Sequence, residues 1–174
     1  MSHRRVVITG FMGAGKTTVG RALARLLGET FIDLDDAVKE LEGRDPRELI
    51  DEEGEDYFRE AETRALQHVL EEGAARVVAT GGGAWTLARN RSLVAAHDSL
   101  SVWLDAPFEL CLQRIEAEGA RDSRPFARDS ERARRLYVER LAAYRQADLR
   151  VSVTPEAGAE ELAAEVVAAL DAGR

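Results

Sequence analysis

Short apolar runs alternate along this chain with segments whose apolar residues recur every three or four positions. The runs predict strands at Arg5–Thr9, Phe31–Leu34, Arg76–Thr80, Ser101–Leu104 and Leu149–Val153. The periodic segments predict helices at Lys16–Leu27, Asp35–Leu41, Glu55–Glu71, Leu87–Ala95, Phe108–Glu116, Glu131–Gln146 and Ala159–Leu170. Asp45-Pro46 is a good N-cap and first-turn pair, so a shorter helix is expected to start there. Alternation of this kind implies an α/β fold: a parallel five-stranded sheet between helix layers, three layers in all. Glu118–Ser130 breaks the rhythm. It is polar, rich in arginine and holds Gly119 and Pro125, so it reads as a mobile loop inserted before the helix at Glu131. With no repeat and no low-complexity linker, residues 1–174 read as one domain.

The first strand–helix junction carries the strongest chemical signal. Gly10-Phe11-Met12-Gly13-Ala14-Gly15-Lys16-Thr17 fits G-x-x-x-x-G-K-[ST], the phosphate-binding loop. Val6-Val7-Ile8 supplies the buried strand before it, and Val19, Leu23, Leu26 and Leu27 fall at helical spacing after it. The glycines let backbone N–H groups turn inward around an anion, and the helix adds its positive end. Gly13, Ala14, Gly15, Lys16, Thr17 and Thr18 are therefore the candidate nucleotide site, with Lys16 reaching the β and γ phosphates and Thr17 offering its hydroxyl to Mg²⁺. Of 24 lysines and arginines only Lys16 and Lys39 are lysine, so a lysine at this position is unlikely to be drift.

Composition narrows the rest. A net charge of −8 argues against nucleic acid or an anionic membrane as the main partner. One cysteine excludes an internal disulfide and a cysteine-based zinc site. Cys111 shares a stripe with Phe108, Leu112 and Ile115 and reads as core. No apolar run reaches transmembrane length, and Val6-Val7-Ile8 is too short for a signal-peptide core, so the cytoplasm and a monomer are the expectations.

In open parallel sheets, ligands sit beyond the carboxyl ends of the strands. After the second strand stand Asp33-Leu34-Asp35. On a strand, positions i and i+2 share a face, so one carboxylate would serve Mg²⁺ and the other accept a substrate proton; alternatively Asp35 merely caps the next helix. After the third strand come Gly81-Gly82-Gly83, one glycine more than a turn needs, which points to close approach of another group. No acidic residue ends that strand; Thr80 stands there. Asp105, after the fourth, reads as a loop or capping residue, with a metal role open. Arg59 lies three residues before Glu62, and spacing alone favours a solvated ion pair. Arg140 sits among Leu136, Tyr137 and Tyr144, where it either snorkels or binds. Arg124 precedes Pro125, which favours an extended loop, and an arginine on such a loop can close over phosphates.

Together these features resemble the shikimate kinase family: the phosphate loop, Asp33-Leu34-Asp35, Phe58-Arg59 with Glu62, Gly81-Gly82-Gly83, Arg124-Pro125, and Arg140 with Tyr144, in the family's order from Gly10 to about Asp148. The resemblance implies a nucleoside-monophosphate-kinase-like fold with a mobile lid at about 118–130. It implies ATP and shikimate as substrates with Mg²⁺ as cofactor, and phosphoryl transfer to an alcohol on the route to aromatic amino acids. On this resemblance Lys16, Asp35 and Arg124 are catalytic, Asp35 being the base. Arg59, Gly81, Gly82, Gly83, Arg140 and Asp35 hold shikimate. Thr17 and Asp33 serve the metal, and Arg124 is the lid arginine on ATP. The family usually follows its lid Arg-Pro with two leucines; here Phe126-Ala127 stand there. It usually has a proline where Ala142 stands. Whether Arg114 or Arg121 flanks adenine stays open.

A related sugar-acid kinase, such as one for gluconate, shares the loop and lid but not this set. A GTPase would need a guanine-reading lysine, which Lys39 in Val38-Lys39-Glu40-Leu41 does not supply. A binding module without turnover fits poorly with intact Lys16, Thr17, Asp33 and Asp35. A closing lid has a direct signature. The segment Gly119–Ser130 is expected to be cut readily by protease in the free protein and to be protected by ADP plus shikimate. Equal cleavage in both states would rule out closure.

Overall fold

The computed structural model describes residues 4–73, 75–119 and 129–172. Its sheet comprises β1 (Arg5–Thr9), β2 (Phe31–Asp33), β3 (Val77–Ala79), β4 (Ser99–Asp105) and β5 (Leu149–Ser152), in the order β2-β3-β1-β4-β5, and every pairing is parallel. The helices are α1 (Lys16–Leu27), α2 (Leu34–Glu42), α3 (Pro46–Glu53), α4 (Glu55–Glu72), α5 (Ala88–Ala96), α6 (Phe108–Gly119), α7 (Ser130–Tyr144) and α8 (Ala159–Ala172), with a 3₁₀ turn at Ala84–Thr86. The expected α/β architecture stands. The expected lid centres on 120–128, outside the described residues, and Arg124 with it.

β1 is central and buried at every position, which requires cover on both faces and explains its unbroken Val6-Val7-Ile8 run. Pairing with β1 also lengthens β4 beyond its apolar segment, because Arg5 and Val6 draw Ser99 and Leu100 into register. Arg5 stays buried by giving its guanidinium to the carbonyls of Leu70, in the last turn of α4, and of Ala75 just beyond it, each at 2.9 Å. α1 buries Val19, Ala22 and Leu23, while Leu26, which fits the spacing, faces solvent. Cys111 is core as expected; burial pushes its thiol up to about 11.

Two junctions prepare the cleft. Phe11 turns into the core and meets Tyr137 edge-on, with centroids 5.2 Å apart, and Phe108 at 6.4 Å, so the phosphate loop is anchored to α6 and α7. β2 is one residue shorter than its apolar run suggests. Asp33, the last residue of β2, is also the N-cap of α2, accepting from the Asp35 N–H at 3.1 Å, and α3 opens with the Asp45 and Glu48 capping box.

Candidate active site

A cleft of about 640 Å³ opens beyond the carboxyl ends of β1, β2 and β3. Its floor is the loop from Met12 to Thr18; Asp33, Asp35 and Asp36 form one wall, and Thr80, Gly81 and Gly82 another. The loop is shaped by its glycines. Gly13 has φ +78, and a Cβ there would lie 2.6 Å from the Cys111 carbonyl oxygen; Gly15 caps α1 with φ +98. The first turn of α1 carries no acidic side chain of its own.

Lys16 Nζ donates to the Phe11 carbonyl at 2.9 Å, folded over its own loop. Burial lowers its pKa to about 8, partly offset by Cys111, Asp33 and Asp35. Thr17 Oγ1 donates to Asp33 Oδ2 at 2.7 Å, which brings together the two groups expected to serve Mg²⁺. The pair fits such an ion. Both are hard oxygen donors at the cleft wall, and Mg²⁺ is held by few protein ligands alongside substrate phosphates. Among the described residues no group of three or more His, Cys, Asp or Glu could hold a metal. Asp105 instead pairs with Arg150 at 2.5 Å on the β4–β5 side, where Arg150 also makes a cation–π contact with Trp103.

Asp35 does not share a strand face with Asp33, as the i, i+2 spacing suggested; it stands in the first turn of α2 and still lines the cleft. Nor is it the helix cap, a role Asp33 fills.

The glycine turn explains itself sterically. None of its three residues adopts positive φ. A Cβ on Gly83 would lie 2.5 Å from Arg59 Cζ, one on Gly82 would lie 3.1 Å from Arg140 Nη1, and one on Gly81 would lie 2.7 Å from Glu62 Oε1. Three charged side chains thus press on three consecutive residues, and any side chain there would displace them. The surface ion pair expected of Arg59 and Glu62 is corrected here. Glu62 is 1% exposed and takes Arg59 Nη1 at 2.5 Å; Arg59 is 20% exposed and also reaches Glu55 at 3.3 Å. Burial lifts Glu62 above the ordinary glutamate range while Arg59 draws it back, and burial opposes the Arg59 charge while Glu62 and Glu55 more than restore it. Arg140 is half-buried over the Phe11 ring rather than snorkelling outward.

Arg114, a candidate for flanking adenine, lines the cleft together with residues that carried little sequence signal. Arg114 donates to the Gly13 and Ala14 carbonyls at 3.2 and 3.3 Å, bracing the phosphate loop. Ala157, Ala159 and Leu162 close the far end. They are small or apolar residues of a distant segment, which no motif marks.

A parallel sheet of this order with a phosphate loop at its central strand and an acidic pair beside it defines a P-loop small-molecule kinase of the nucleoside-monophosphate-kinase-like fold. The shikimate kinase family model matches residues 12–171. The shikimate kinase of Ruegeria pomeroyi is 40% identical over 97% of this chain and 85% of its own, and that of Gloeobacter violaceus is 42% identical over 88% and 87%. A shikimate kinase from Acinetobacter baumannii, solved in complex with shikimate, superposes with a TM-score of 0.89 at 34% identity, covering 99% of this chain and 96% of that one. The chain belongs to the shikimate kinase family. A gluconokinase from Sinorhizobium meliloti, at 21% identity and a TM-score of 0.64 over 97% of this chain and 92% of its own, shares the fold.

Lys16 generates a prediction with two readouts. Lys16→Met is expected to abolish phosphoryl transfer while the protein stays folded. In the free protein Lys16 binds fewer protons than it would unfolded between pH about 8 and 10.5, so its burial costs stability below pH 8 and less as pH rises. Denaturant titrations should find the variant at least as stable as the parent at pH 7, with the gap closing towards pH 10. Full activity in the variant would remove Lys16 from the site.

Proposed function

We propose that the protein transfers the γ-phosphoryl group of ATP to the 3-hydroxyl of shikimate, giving shikimate 3-phosphate and ADP, as a monomeric cytoplasmic enzyme. The observation that carries the reading is the packing of Arg59 and Arg140 against Gly83 and Gly82, beside Asp35 and opposite the phosphate loop.

In this reading Gly13, Ala14, Gly15 and Thr18 hold the phosphates through the loop and the N-terminus of α1. Lys16 leaves the Phe11 carbonyl and meets the β and γ phosphates, which restore the full charge that burial disfavours. Thr17 and Asp33 would hold Mg²⁺. When bound, that ion neutralises charge on the transferring phosphate. Asp35 accepts the proton of the attacking hydroxyl as its oxygen bonds to phosphorus and the bond to ADP breaks. Arg59 and Arg140 grip the shikimate carboxylate, a task suited to planar bidentate donors. Gly81, Gly82 and Gly83 let the ring lie close to the backbone. Arg124 closes over ATP from the lid.

Release of ADP measured with shikimate, gluconate and no acceptor tests the reading, and gluconate preferred over shikimate overturns it. Asp35→Asn should lower kcat by roughly 10²–10⁴ with ATP affinity little changed. Loss of ATP binding with normal acceptor binding would move Asp35 to the metal site. For the clamp, truncating one partner of a desolvated charge pair costs about 2–5 kcal/mol. Arg59→Ala should therefore weaken acceptor use by roughly tens- to thousands-fold. Arg59→Lys should recover only part, since an ammonium lacks the fork. An acceptor analogue without the carboxylate should be poor with the parent and hardly worse with Arg59→Ala. An equal cost for both acceptors would make Arg59 structural.

A further inference from the structure

Tyr144 is the last residue of α7 and is fully buried, although it carries a hydroxyl. A buried hydroxyl needs partners. This one donates to the Gly82 carbonyl at 2.7 Å, across 62 positions of sequence. Arg140, one helical turn earlier on the same face, brings its guanidinium to the same glycine. The direction of the chain is set by chemistry. A guanidinium has only donors and a carbonyl only acceptor sites, so Tyr144 spends its single proton on Gly82 and its lone pairs are what it can offer Arg140. Burial pushes the phenol up to about 12, with Arg140 drawing against it, so the hydroxyl keeps that proton at neutral pH. The three groups converge. A Cβ on Gly82 would lie 3.1 Å from Arg140 Nη1 and 3.5 Å from the Tyr144 oxygen.

Two further contacts make this end of α7 a fixed reference. The Tyr144 ring stacks on Trp103 of β4, with centroids 6.1 Å apart and planes 25° from parallel. Trp85 Nε1 donates to the Ala143 carbonyl at 3.0 Å, so the 3₁₀ turn after the glycines is tied to the same helix end. Arg59 needs no such device, because Glu62 and Glu55 hold it. Arg140 forms no ion pair with a carboxylate among the described residues, and the neutral Tyr144 hydroxyl lies against the same glycine as its guanidinium.

We propose that Tyr144 is a positioning residue of the acceptor site: its hydroxyl links the Arg140 guanidinium to the Gly82 carbonyl and so holds the second arm of the carboxylate clamp in register with the glycine turn. The proposal rests on the reading of Arg140 and Gly82 as acceptor-binding groups. It adds a residue that touches no substrate and yet sets the affinity for a carboxylate-bearing one.

The test is Tyr144→Phe in the full-length enzyme, which removes one oxygen and keeps the ring on Trp103. The expected result is a rise of roughly tenfold in the KM for shikimate, the scale of one hydrogen bond to a charged group. The KM for ATP and kcat should stay within about twofold. With the acceptor analogue lacking a carboxylate, the variant and parent should be alike. In the Arg140→Ala background, Tyr144→Phe should add nothing further, because the relay has lost its far end. A merely structural role predicts the opposite: a lower Tm, equal losses with both acceptors, and additive effects in the double variant. Additivity, or an unchanged KM in Tyr144→Phe while Arg140→Ala raises it, overturns the relay and leaves the acceptor site standing. An unchanged KM in Arg140→Ala itself overturns the acceptor-site reading, and the relay falls with it.

Discussion

Backbone N–H groups must be left facing an anion without a protein acceptor to quench them, and the rest of the structure is arranged around that need. An ordinary loop would turn those donors onto neighbouring carbonyls or fill the space with side chains. Here Gly13 and Gly15 take φ values that L side chains rarely adopt, and the helix they lead into has no acid in its first turn. The loop cannot hold such a shape alone. Phe11 is driven into the α6–α7 aromatic cluster, Arg114 takes two of the loop's carbonyls, and the buried β1 fixes where the loop begins. A cradle that binds charge is thus built on apolar burial and one arginine bound to the loop's own carbonyls.

The opposite wall solves a harder electrostatic problem. Two arginines and two carboxylates are brought within a few ångströms of one another, partly out of water. Charges so placed persist only when each is paired or hydrogen-bonded. Glu62 is buried against Arg59, and Arg140 lies with the Tyr144 hydroxyl against Gly82. The two arginines therefore differ in kind. Arg59 is a cation paired with Glu62 and Glu55, and Arg140 has no carboxylate partner among the described residues. The glycine turn is the common surface on which both lie, and its lack of side chains is a packing requirement rather than a conformational one.

Much of this could be read in the chain itself. The phosphate loop lies between an apolar run and an amphipathic segment, and both are local patterns. The strand and helix around it therefore have the predicted ends, Arg5–Thr9 and Lys16–Leu27. The family's order of motifs located Arg59, Glu62, Gly81–Gly83 and Arg140 as a set. Local rules failed where two signals competed. Leu34 could end β2 or open α2, and the helix won because Asp33, the last residue of β2, turns its side chain to accept the freed N–H of Asp35.

What the sequence by itself determined is the elements, their parallel order in an α/β fold, and the chemistry available at each strand end, because periodicity and short motifs depend on neighbours a few positions apart. Only the tertiary structure decided which of those groups are buried and what they touch. Periodicity put Glu62 at the edge of an apolar stripe and left it in water; the turn after β3, about twenty residues on, covers it. Tyr144 and Gly82 are 62 positions apart, and no local pattern announces that a phenol on one helix will meet a carbonyl in a distant turn. The same holds for Asp105 and Arg150, joined only because β4 and β5 lie side by side. Desolvation and long-range pairing are properties of the packed chain, so the identity of a charged residue is local information and its state is not.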